Sequence, residues 1–440
     1  MKKYSVIIMV LILFACKSDK EKIAAETFYM PAEWEEQEAV WLGWSKAIET
    51  GYYSLTPTII KTLSSQVCVK IAFNSNNMKE KAVRYLQSRG IDSTMYKSYI
   101  IPGERYWIRD IGATFLVNKK GELGAVDFEW DDIGLLLTLK QANKNNMDTI
   151  KKYYAEDLKG IKRGSLVDSM IAQTEHAKMI KTKIVHEGGA IEVNGKGTLI
   201  LCEATVLPRN PNWTKKQLEL EFKKTLGVSN IIWLKQGLAE DPFGLRLISK
   251  TYAGYGVGGH TDEFVRFANS NTILLAWVDE KEKDINPVNK INYLRMKENY
   301  DILKNAKDQD GKPFSIIKIP QPDIIVKKMI VTEKIKKTKS NQASSKEISV
   351  TDFLPAERPN IGDTIRIIPC TSYMNYFVTN NIVLVPTYIP AGSSRIKEMN
   401  VKKILKKQFP NRKIIFLNAI SENWDGGGIH CITQQQPKLN

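Results

Sequence analysis

The feature of this sequence that most constrains its fold is a short pattern that occurs four times: an apolar strand, a turn containing asparagine, and a second apolar strand. The four copies are TFLVNKKGELGAV around Asn118, AIEVNGKGTLILC around Asn194, RFANSNTILLAW around Asn269 and YFVTNNIVLVPTY around Asn380. Asparagine, glycine and lysine at the centre of such a pattern suit a tight turn. Each copy therefore predicts a β-hairpin.

The spacing of these hairpins predicts repeated units. The first three turn asparagines lie 76 and 75 residues apart, and the fourth follows after 111 residues. The extra length matches a basic stretch of low hydrophobicity at residues 327–360, which we interpret as an insertion. One step before the first hairpin lies another apolar run at residues 38–42, a candidate for the first unit.

Segments with helical periodicity, such as residues 215–226, lie between the hairpins, so each unit combines strands with a helix. The sequence therefore predicts an α/β fold of about five related units. With 440 residues and 43% apolar content, the chain is long enough to bury the core that such a fold needs. Closing the units into a ring would bring equivalent strand ends, far apart in sequence, to a common centre.

The first sixteen residues differ from the rest of the chain. Lys2 and Lys3 precede an apolar run at residues 5–14 that is too short to span a bilayer, and Leu-Phe-Ala-Cys ends at Cys16. This pattern predicts a signal peptide over residues 1–15. We expect Cys16 to be acylated, which would make the protein an exported, membrane-anchored lipoprotein on the periplasmic or cell-surface side of a bacterium. Ordinary secretion with a coincidental cysteine is the alternative.

The other four cysteines do not indicate a disulfide framework. Cys68, Cys202 and Cys370 lie in apolar, strand-like contexts that are typical of buried thiols, and the four are scattered over most of the chain. Only Cys431 has unusual neighbours, because it ends the run Gly-Gly-Gly-Ile-His-Cys.

The net charge of +16 is concentrated in a few segments. Residues 327–346 are basic and polar with weak periodicity, which predicts a solvated insertion or a mobile loop. Residues 402–413 (KKILKKQFPNRK) resemble the basic face of an amphipathic helix. Neither segment contains the interleaved aromatic residues of a single-strand binder, so we expect no nucleic-acid partner.

Polar residues stand just before each hairpin, and their positions repeat. Asp110 lies eight residues before its turn asparagine, Glu187 and Asp262 lie seven residues before theirs, and Asn375 lies five residues before the last one. If the hairpins are equivalent, these side chains point into one central site. We expect Cys431, which follows another apolar strand, to reach the same site.

This set of residues suits the hydrolysis of a guanidinium group. A guanidinium is planar and always charged, so carboxylates that each accept two parallel hydrogen bonds bind it well, and Asp110 and Asp262 are the natural pair. The Cys431 thiolate is the expected nucleophile, and glycines before it let the backbone approach the substrate. We expect His260 to protonate the departing ammonia and then activate water, with Glu187 keeping the imidazole protonated. The predicted catalytic residues are Cys431, His260, Asp262, Asp110 and Glu187, and the predicted substrate-binding residues are Asp110, Asp262, Trp107, Asn375 and Gly428.

A metal site is the main alternative use of these residues. His260, Asp262, His430 and Cys431 could ligate zinc, but the sequence has no CxxC or HxxxH spacing, and thiolate chemistry needs no metal. We therefore predict neither a metal nor a cofactor.

Several motifs along the chain resemble those of the agmatine deiminases and the related Porphyromonas-type peptidylarginine deiminases of the guanidine-modifying superfamily. The matching motifs are MPAEWE at residues 30–35 with AVWL at 39–42, WIRD at 107–110, EGG at 187–189 with EVNGKGT at 192–198, HTDE at 260–263 with RF at 266–267, SYMN at 372–375 and GGGIHCITQQQP at 426–437. The resemblance implies a five-bladed, pseudo-symmetric α/β propeller of ββαβ units. It also implies a deiminase catalytic domain over residues 28–440 after an anchoring linker at 16–27, and the same roles for Cys431, His260, Asp110, Asp262 and Glu187.

The sequence departs from the family pattern at two places that bear on the substrate. Gly112-Ala113 stands where the family usually has glycine-proline, and Glu129-Trp130-Asp131-Asp132 stands where agmatine deiminases commonly carry an aromatic-asparagine-tryptophan-glycine run. An acidic, arginine-free segment favours a cationic or neutral substrate tail over a carboxylate, if it borders the site.

We therefore expect agmatine as the substrate and N-carbamoylputrescine and ammonia as the products. Peptidyl or free arginine is the first alternative, which export to the cell surface would favour. A lipoprotein that binds guanidino compounds without turnover, and an amidinotransferase that passes the amidino group to an amine, are further alternatives. The sequence does not predict an oligomeric state.

Overall fold

The structure is a computed structural model that describes residues 25–103, 106–333 and 347–439. Within these ranges no helix has the length and apolarity that crossing a bilayer would require. The predicted signal peptide, Cys16 and most of the predicted linker lie outside the described residues.

Strands and helices alternate along the chain. The strands are β1 (Gln37–Gly43), β2 (Cys68–Phe73), β3 (Lys97–Ile100), β4 (Thr114–Val117), β5 (Leu123–Glu129), β6 (Lys178–Val185), β7 (Glu192–Val193), β8 (Thr198–Cys202), β9 (Asn230–Leu234), β10 (Phe243–Ser249), β11 (Tyr252–Val257), β12 (Val265–Asn269), β13 (Thr272–Trp277), β14 (Ser315–Pro320), β15 (Lys327–Thr332), β16 (Glu347–Ser349), β17 (Thr364–Ile368), β18 (Phe377–Thr379), β19 (Ile382–Thr387), β20 (Lys413–Asn418) and β21 (Thr433–Pro437). The α-helices are Lys46–Glu49, Leu55–Leu63, Asn76–Ser88, Ile108–Ile111, Leu135–Ala142, Met147–Tyr153, Ala155–Gly164, Val167–Thr174, Glu203–Arg209, Lys215–Leu226, Pro287–Asn305, Arg395–Gln408 and Ile420–Asn423. Short 3-10 turns occur at Ser93–Met95, Gly188–Ala190, Thr261–Glu263, Glu280–Glu282, Val350–Asp352, Pro355–Glu357 and Ile389–Ala391.

All four predicted hairpins are confirmed. They are the antiparallel pairs β4–β5, β7–β8, β12–β13 and β18–β19. One or more helices follow each hairpin, and the next strand (β6, β9, β14 or β20) then pairs in parallel with the second hairpin strand. A parallel pair needs a crossover of this kind, so one helix per unit was the expected connection. The α/β prediction is confirmed.

The first unit differs from the other four because it uses both ends of the chain. Strands β1, β2 and β3 are parallel to one another, and the antiparallel neighbour of β1 is the C-terminal strand β21. The predicted apolar run at residues 38–42 is therefore a strand, but it belongs to no local hairpin. The turn asparagine of the last unit also joins this pairing: Asn380 Oδ1 accepts the Gln37 N–H at 2.8 Å, and its Nδ2 donates to the Gln37 carbonyl at 3.0 Å.

The turn asparagines of the other units stabilise their own hairpins. Asn194 Oδ1 accepts the N–H groups of Lys196 and Thr198 at 3.0 and 2.9 Å, so one side chain satisfies two donors of the turn. The turn at Asn118 has the same pattern of hydrogen bonds.

The helices bury one apolar face against their sheets. In Lys215–Leu226, a capping box of Thr214 with Gln217 begins the helix, and Leu218, Phe222 and Leu226 are fully buried on one face. Their four-residue spacing places them on one side of the helix, where each contributes about 1.5–3 kcal/mol of burial. Residues 402–408 of the predicted basic amphipathic helix lie in the helix Arg395–Gln408, which confirms that part of the prediction, whereas Lys413 begins β20.

A sixth sheet lies outside the repeat and corrects one prediction. Its strand order is β10-β11-β17-β15-β16, and it joins the β10–β11 hairpin to the basic stretch. The described start of that stretch, Lys327–Thr332, is strand β15, paired antiparallel with β17, and not a solvated loop. Its alternating residues pack a small core with Phe353 and Ile365, a pattern that the high lysine content obscured.

Candidate active site

The polar residues that precede three of the hairpins lie at or beside short helical turns. Asp110 is in the helix Ile108–Ile111, Glu187 directly precedes the turn Gly188–Ala190, and Asp262 is in the turn Thr261–Glu263. The turn after Glu187 packs against the other two turns. The structure therefore brings these residues together as the repeat spacing predicted.

Gly189 marks the point where three of these side chains meet. A Cβ atom at Gly189 would lie 2.7 Å from Asp110 Oδ1, 2.7 Å from His260 Nδ1 and 3.2 Å from Asp262 Oδ2. Its backbone N–H donates to Asp110 Oδ1 at 2.9 Å. The two carboxylates and the imidazole thus surround one small space, and only glycine leaves that space open.

Cys431 faces the same space and is almost completely buried. Asn375 Nδ2 donates to Cys431 Sγ at 3.2 Å, and Asp262 Oδ2 lies 3.7 Å from the sulfur. A Cβ atom at Gly428 would lie 2.5 Å from Asn375 Oδ1. Gly428, which was predicted from the sequence to bind the substrate, therefore leaves room for the amide of Asn375 to reach the thiol.

His260 is held in its charged form. Its Nε2 lies 2.6 Å from Glu187 Oε1, and its Nδ1 lies 3.7 Å from Asp110 Oδ1. Burial alone would lower the pKa of His260, but the negative charges of Glu187, Asp110 and Asp262 outweigh it and raise the pKa to about 9. The imidazole is therefore an imidazolium at neutral pH and can donate a proton.

The carboxylates differ in their environments. Burial raises the pKa of Asp110 to about 7, and the neighbouring charges of Asp262 and Glu187 add to the rise. Burial also raises the pKa of Asp262, but the hydrogen bond from His430 and nearby positive charges lower it below its ordinary value. For Glu187, Arg209 and His260 overcome the cost of burial and lower the pKa.

Burial raises the pKa of the Cys431 thiol well above its ordinary value, and the carboxylates of Asp262, Glu263 and Asp110 raise it further. The thiol is therefore neutral without a cation beside it. A bound guanidinium would supply that cation and favour the thiolate.

Arg209 links Glu187, the partner of His260, to the segment that differs from the family pattern. The guanidinium is fully buried and binds both carboxylate oxygens of Glu187. It also donates to Asp131 Oδ2 at 3.2 Å and to Asp131 Oδ1 at 2.6 Å. Sequence reasoning missed Arg209; the only signal was an arginine before Asn-Pro, which has no periodic relation to the hairpins.

A second buried network of hydrogen bonds and ion pairs contacts Asp262 through His430. His430 Nδ1 lies 2.7 Å from Asp262 Oδ2, and His430 Nε2 lies 2.6 Å from Glu33 Oε2. Arg266 pairs with Glu33 at 2.9 Å and with Glu192 at 2.8 Å. These residues lie in motifs that carry the family resemblance, but no repeat spacing predicted a role for them, and His430 was predicted only as a possible zinc ligand.

Asp262, Glu263 and Cys431 have ligand atoms within 4.8 Å of one another, close enough to hold a metal ion. The same atoms already have hydrogen-bond partners: Asn375 Nδ2 donates to Glu263 Oε1 at 2.7 Å as well as to the sulfur, and His430 binds Asp262. The hydrogen bond from Asn375 orients the Cys431 thiol. That the site holds no metal stays a prediction.

A cavity of about 280 Å³ leads from the surface to Cys431. Its lining consists of Trp107, Asp110, Asp132, Ile133, Gly134, Leu135, Thr138, Gly244, Tyr255, Gly256, Val257, Asp425, Gly426, Gly427 and Cys431. Asp110 and Cys431 are buried at its inner end, whereas Asp132 is exposed and Asp425 half-buried at its rim. Among the lining residues in the described part of the chain, none is lysine or arginine.

Fold and site together define the class of protein: a hydrolase of guanidino groups. The chain belongs to the Porphyromonas-type peptidyl-arginine deiminase family, whose model matches residues 29–437.

Curated relatives and solved structures are similar to this chain over nearly its whole length. It is 27% identical to the agmatine deiminase of Pseudomonas syringae pv. tomato, with 94% of this chain and 96% of the relative covered. It is also 27% identical to a putative agmatine deiminase of Streptococcus mutans, with 93% and 96% covered. In fold it resembles the agmatine deiminase of Enterococcus faecalis, with a TM-score of 0.68, 24% identity, and 94% and 96% of the chains covered.

Proposed function

We propose that this protein is an agmatine deiminase, which hydrolyses the guanidinium of agmatine to the ureido group of N-carbamoylputrescine and releases ammonia. The cavity carries this proposal, because it ends at Asp110 and Cys431 and presents carboxylates without a lysine or arginine among its described lining residues. Agmatine is positively charged at both ends, so an anionic cavity suits its whole length. The names of the curated relatives support the same activity.

In the first half of the reaction, Asp110 and Asp262 accept hydrogen bonds from the guanidinium, and the thiol proton of Cys431 leaves to solvent. The sulfur then bonds to the guanidinium carbon. His260 gives its proton to one terminal nitrogen, the carbon–nitrogen bond breaks, and ammonia leaves. An amidino-thioether on Cys431 and a neutral imidazole remain.

In the second half, the neutral imidazole of His260 takes a proton from water while the hydroxide adds to the thioether carbon. The carbon–sulfur bond breaks, the hydroxyl proton returns to the sulfur, and the ureido product leaves. Glu187 stabilises the imidazolium that is regenerated. In sum, one water is consumed and one ammonia is released for each agmatine.

Peptidyl arginine is the second candidate, and the family model favours it. Recognition of a C-terminal or free arginine would need a cationic group for the carboxylate. The rim of the cavity offers Asp132 and Asp425 instead. A binding protein without turnover would have no use for the thiol and the charged imidazole, and an amidinotransferase would share the covalent intermediate but need an amine acceptor.

We also propose that five sheets are the blades of a ring, as the family resemblance implies. These are the four sheets that contain the repeated hairpins and the sheet that pairs β1 with β21. The pairing of β1 with β21 supports this arrangement, since it joins the two ends of the chain within one sheet. The contact of Asn380 with Gln37 supports it too, because it ties the last unit to the first.

Attachment to a membrane through Cys16 remains part of the proposal and rests on the sequence alone. Labelling cells with a radioactive fatty acid tests it. We expect label on the wild-type protein and none on Cys16→Ser, and an unlabelled wild-type protein would contradict the lipoprotein assignment.

Steady-state ammonia release from agmatine, free arginine and a peptide with C-terminal arginine tests the activity. We expect the highest kcat/KM with agmatine and, for Cys431→Ser, a loss of at least about 10³-fold. Formation of citrulline in the peptide with no activity on agmatine would contradict the proposal.

A further inference from the structure

Asp425 stands at the outer end of the cavity, and the chemistry described so far does not use it. It follows the helix Ile420–Asn423 and comes directly before Gly426 and Gly427, which line the cavity towards Cys431. Asp425 thus lies close to Cys431 in sequence and lines the same cavity.

Two tyrosines hold the Asp425 carboxylate in place. The Tyr53 hydroxyl donates to Asp425 Oδ2 at 2.7 Å, and the Tyr52 hydroxyl donates to Oδ1 at 3.2 Å. The Tyr53 ring stacks on Tyr106 with centroids 4.1 Å apart and planes 3° from parallel. A carboxylate ordered in this way loses little further freedom when it binds a ligand.

The tyrosines supply hydrogen bonds but no positive charge. Burial and the charge of Asp425 raise the pKa of Tyr52 to about 12, so its hydroxyl stays protonated at neutral pH. Across residues 25–103, 106–333 and 347–439, no lysine or arginine forms an ion pair with Asp425. Its negative charge is therefore not neutralised by the described part of the protein.

Tyr255 lines the same cavity as Asp425. Gly426 packs closely against Tyr255, since a Cβ atom there would lie 3.2 Å from Tyr255 Cδ1. Burial and then the charges of Asp425 and Asp132 raise the pKa of Tyr255. A cavity lined by both a carboxylate and an aromatic ring is a setting in which ammonium groups bind well.

We infer that Asp425 determines specificity for the tail of the substrate by binding an ammonium group at the rim while the guanidinium occupies the inner end. The enzyme would thereby select guanidino compounds that carry a second cationic centre over those with neutral or anionic tails. This inference rests on the proposed function and adds the residue that distinguishes the tail.

Agmatine and pentylguanidine form a matched pair of probes, because a methyl group replaces the ammonium and the rest of the molecule is the same. The measurement is the ratio of kcat/KM for agmatine to that for pentylguanidine, in wild type and in Asp425→Asn. An asparagine keeps the shape of the side chain and an acceptor for one tyrosine. We expect wild type to prefer agmatine and the ratio to fall by about 10-fold in the variant.

Tyr53→Phe is the matched control, because it loosens the carboxylate and keeps its charge. We expect the ratio to fall less in Tyr53→Phe than in Asp425→Asn. Turnover of pentylguanidine by each variant shows that it is folded, since this probe uses the same thiol and imidazole.

A ratio that is unchanged in Asp425→Asn would overturn the inference, and if kcat/KM also fell equally with both probes, the residue would have a structural role instead. Failure of the proposed function would look different. In that case the wild-type enzyme would turn over neither probe, whatever residue stands at 425.

Discussion

The inner end and the rim of the cavity are built in different ways. The inner end consists of Asp110, His260, Asp262 and Cys431, which are buried and are positioned by the turns that precede the repeated hairpins or by the glycines before the thiol. Each of these groups is fixed by contacts with other buried residues. The repeated framework thus positions the groups that we propose to be catalytic.

The rim comes from segments outside the repeated hairpins. Residues 132–138 lie between β5 and β6, and Tyr255 belongs to β11 of the sixth sheet. The backbone is left-handed at three successive residues, with φ of 58° at Asp132, 50° at Ile133 and 81° at Gly134. A β-branched residue such as Ile133 rarely adopts this conformation, so the rim stores strain.

Arg209 connects the two regions, because it binds Glu187 at the inner end and Asp131 beside the rim. We propose a division of roles in which the buried groups of the inner end perform the chemistry and the segments of the rim select the substrate. The following predictions test that division, beginning with the largest effect.

Replacing His260 with asparagine should have the largest effect, because it removes the proton donor for ammonia and the base for water. We expect kcat with agmatine to fall by about 10³-fold. Steady-state kinetics measure the loss. His176→Asn is the control, since His176 is exposed in a turn after the helix Val167–Thr174, and it should retain activity. Near-normal turnover by His260→Asn would contradict the inner-end assignment.

Replacing Arg209 with methionine tests the connection between the regions. The change leaves the buried carboxylates of Glu187 and Asp131 without their shared cation, so we expect the free energy of unfolding to fall by about 3–5 kcal/mol. Denaturant unfolding measures it. Asp131→Asn removes only the rim partner and should cost less. If both variants unfold like wild type, the two regions are not coupled through Arg209.

The pH dependence of kcat/KM tests the charge on His260. Because its pKa is raised from 6.5 to about 9, the catalytic imidazolium persists at neutral pH, and activity should fall as pH rises through about 9. Glu187→Gln removes the main negative charge and should move this fall to lower pH by at least about one unit. An alkaline limb that does not move would show that another group controls it.

The same shift affects stability. A group whose pKa is higher in the folded state contributes its full stabilisation below its unfolded pKa, here 6.5, and loses it as pH rises through about 9. The unfolding free energy of wild type should therefore decline over this interval more than that of Glu187→Gln.

The smallest effect is expected at the rim. Ile133→Gly relieves the left-handed strain and should raise the free energy of unfolding by about 1 kcal/mol. Ile133→Val is the control, because valine is also β-branched and keeps the strain. Denaturant unfolding compares the three proteins, and a glycine variant less stable than wild type would show that the side-chain contacts of Ile133 outweigh its backbone strain.

The sequence predicted the inner end better than the rim for a physical reason. Hairpins have a local signature, and Asp110, Glu187 and Asp262 keep nearly constant distances from their turns, so their convergence followed from the repeat. The cysteine was recognisable from its glycines. These features depend on short stretches of chain and on a regular spacing.

Contacts between distant and unrelated segments had no such signature. Arg209 meets Asp131 across 78 residues, and Asp425 meets Tyr52 across 373. The pairing of β1 with β21 likewise joins opposite ends of the chain, and strand β15 was hidden by its lysines. Such contacts follow from tertiary packing, which single-residue patterns do not encode.

Mass spectrometry of enzyme quenched with acid during turnover of agmatine tests the central claim most directly. We predict an amidino adduct on the peptide that contains Cys431, present in wild type and missing in Cys431→Ser. Turnover with no adduct on Cys431, or an adduct on another cysteine such as Cys202 or Cys370, would contradict the account.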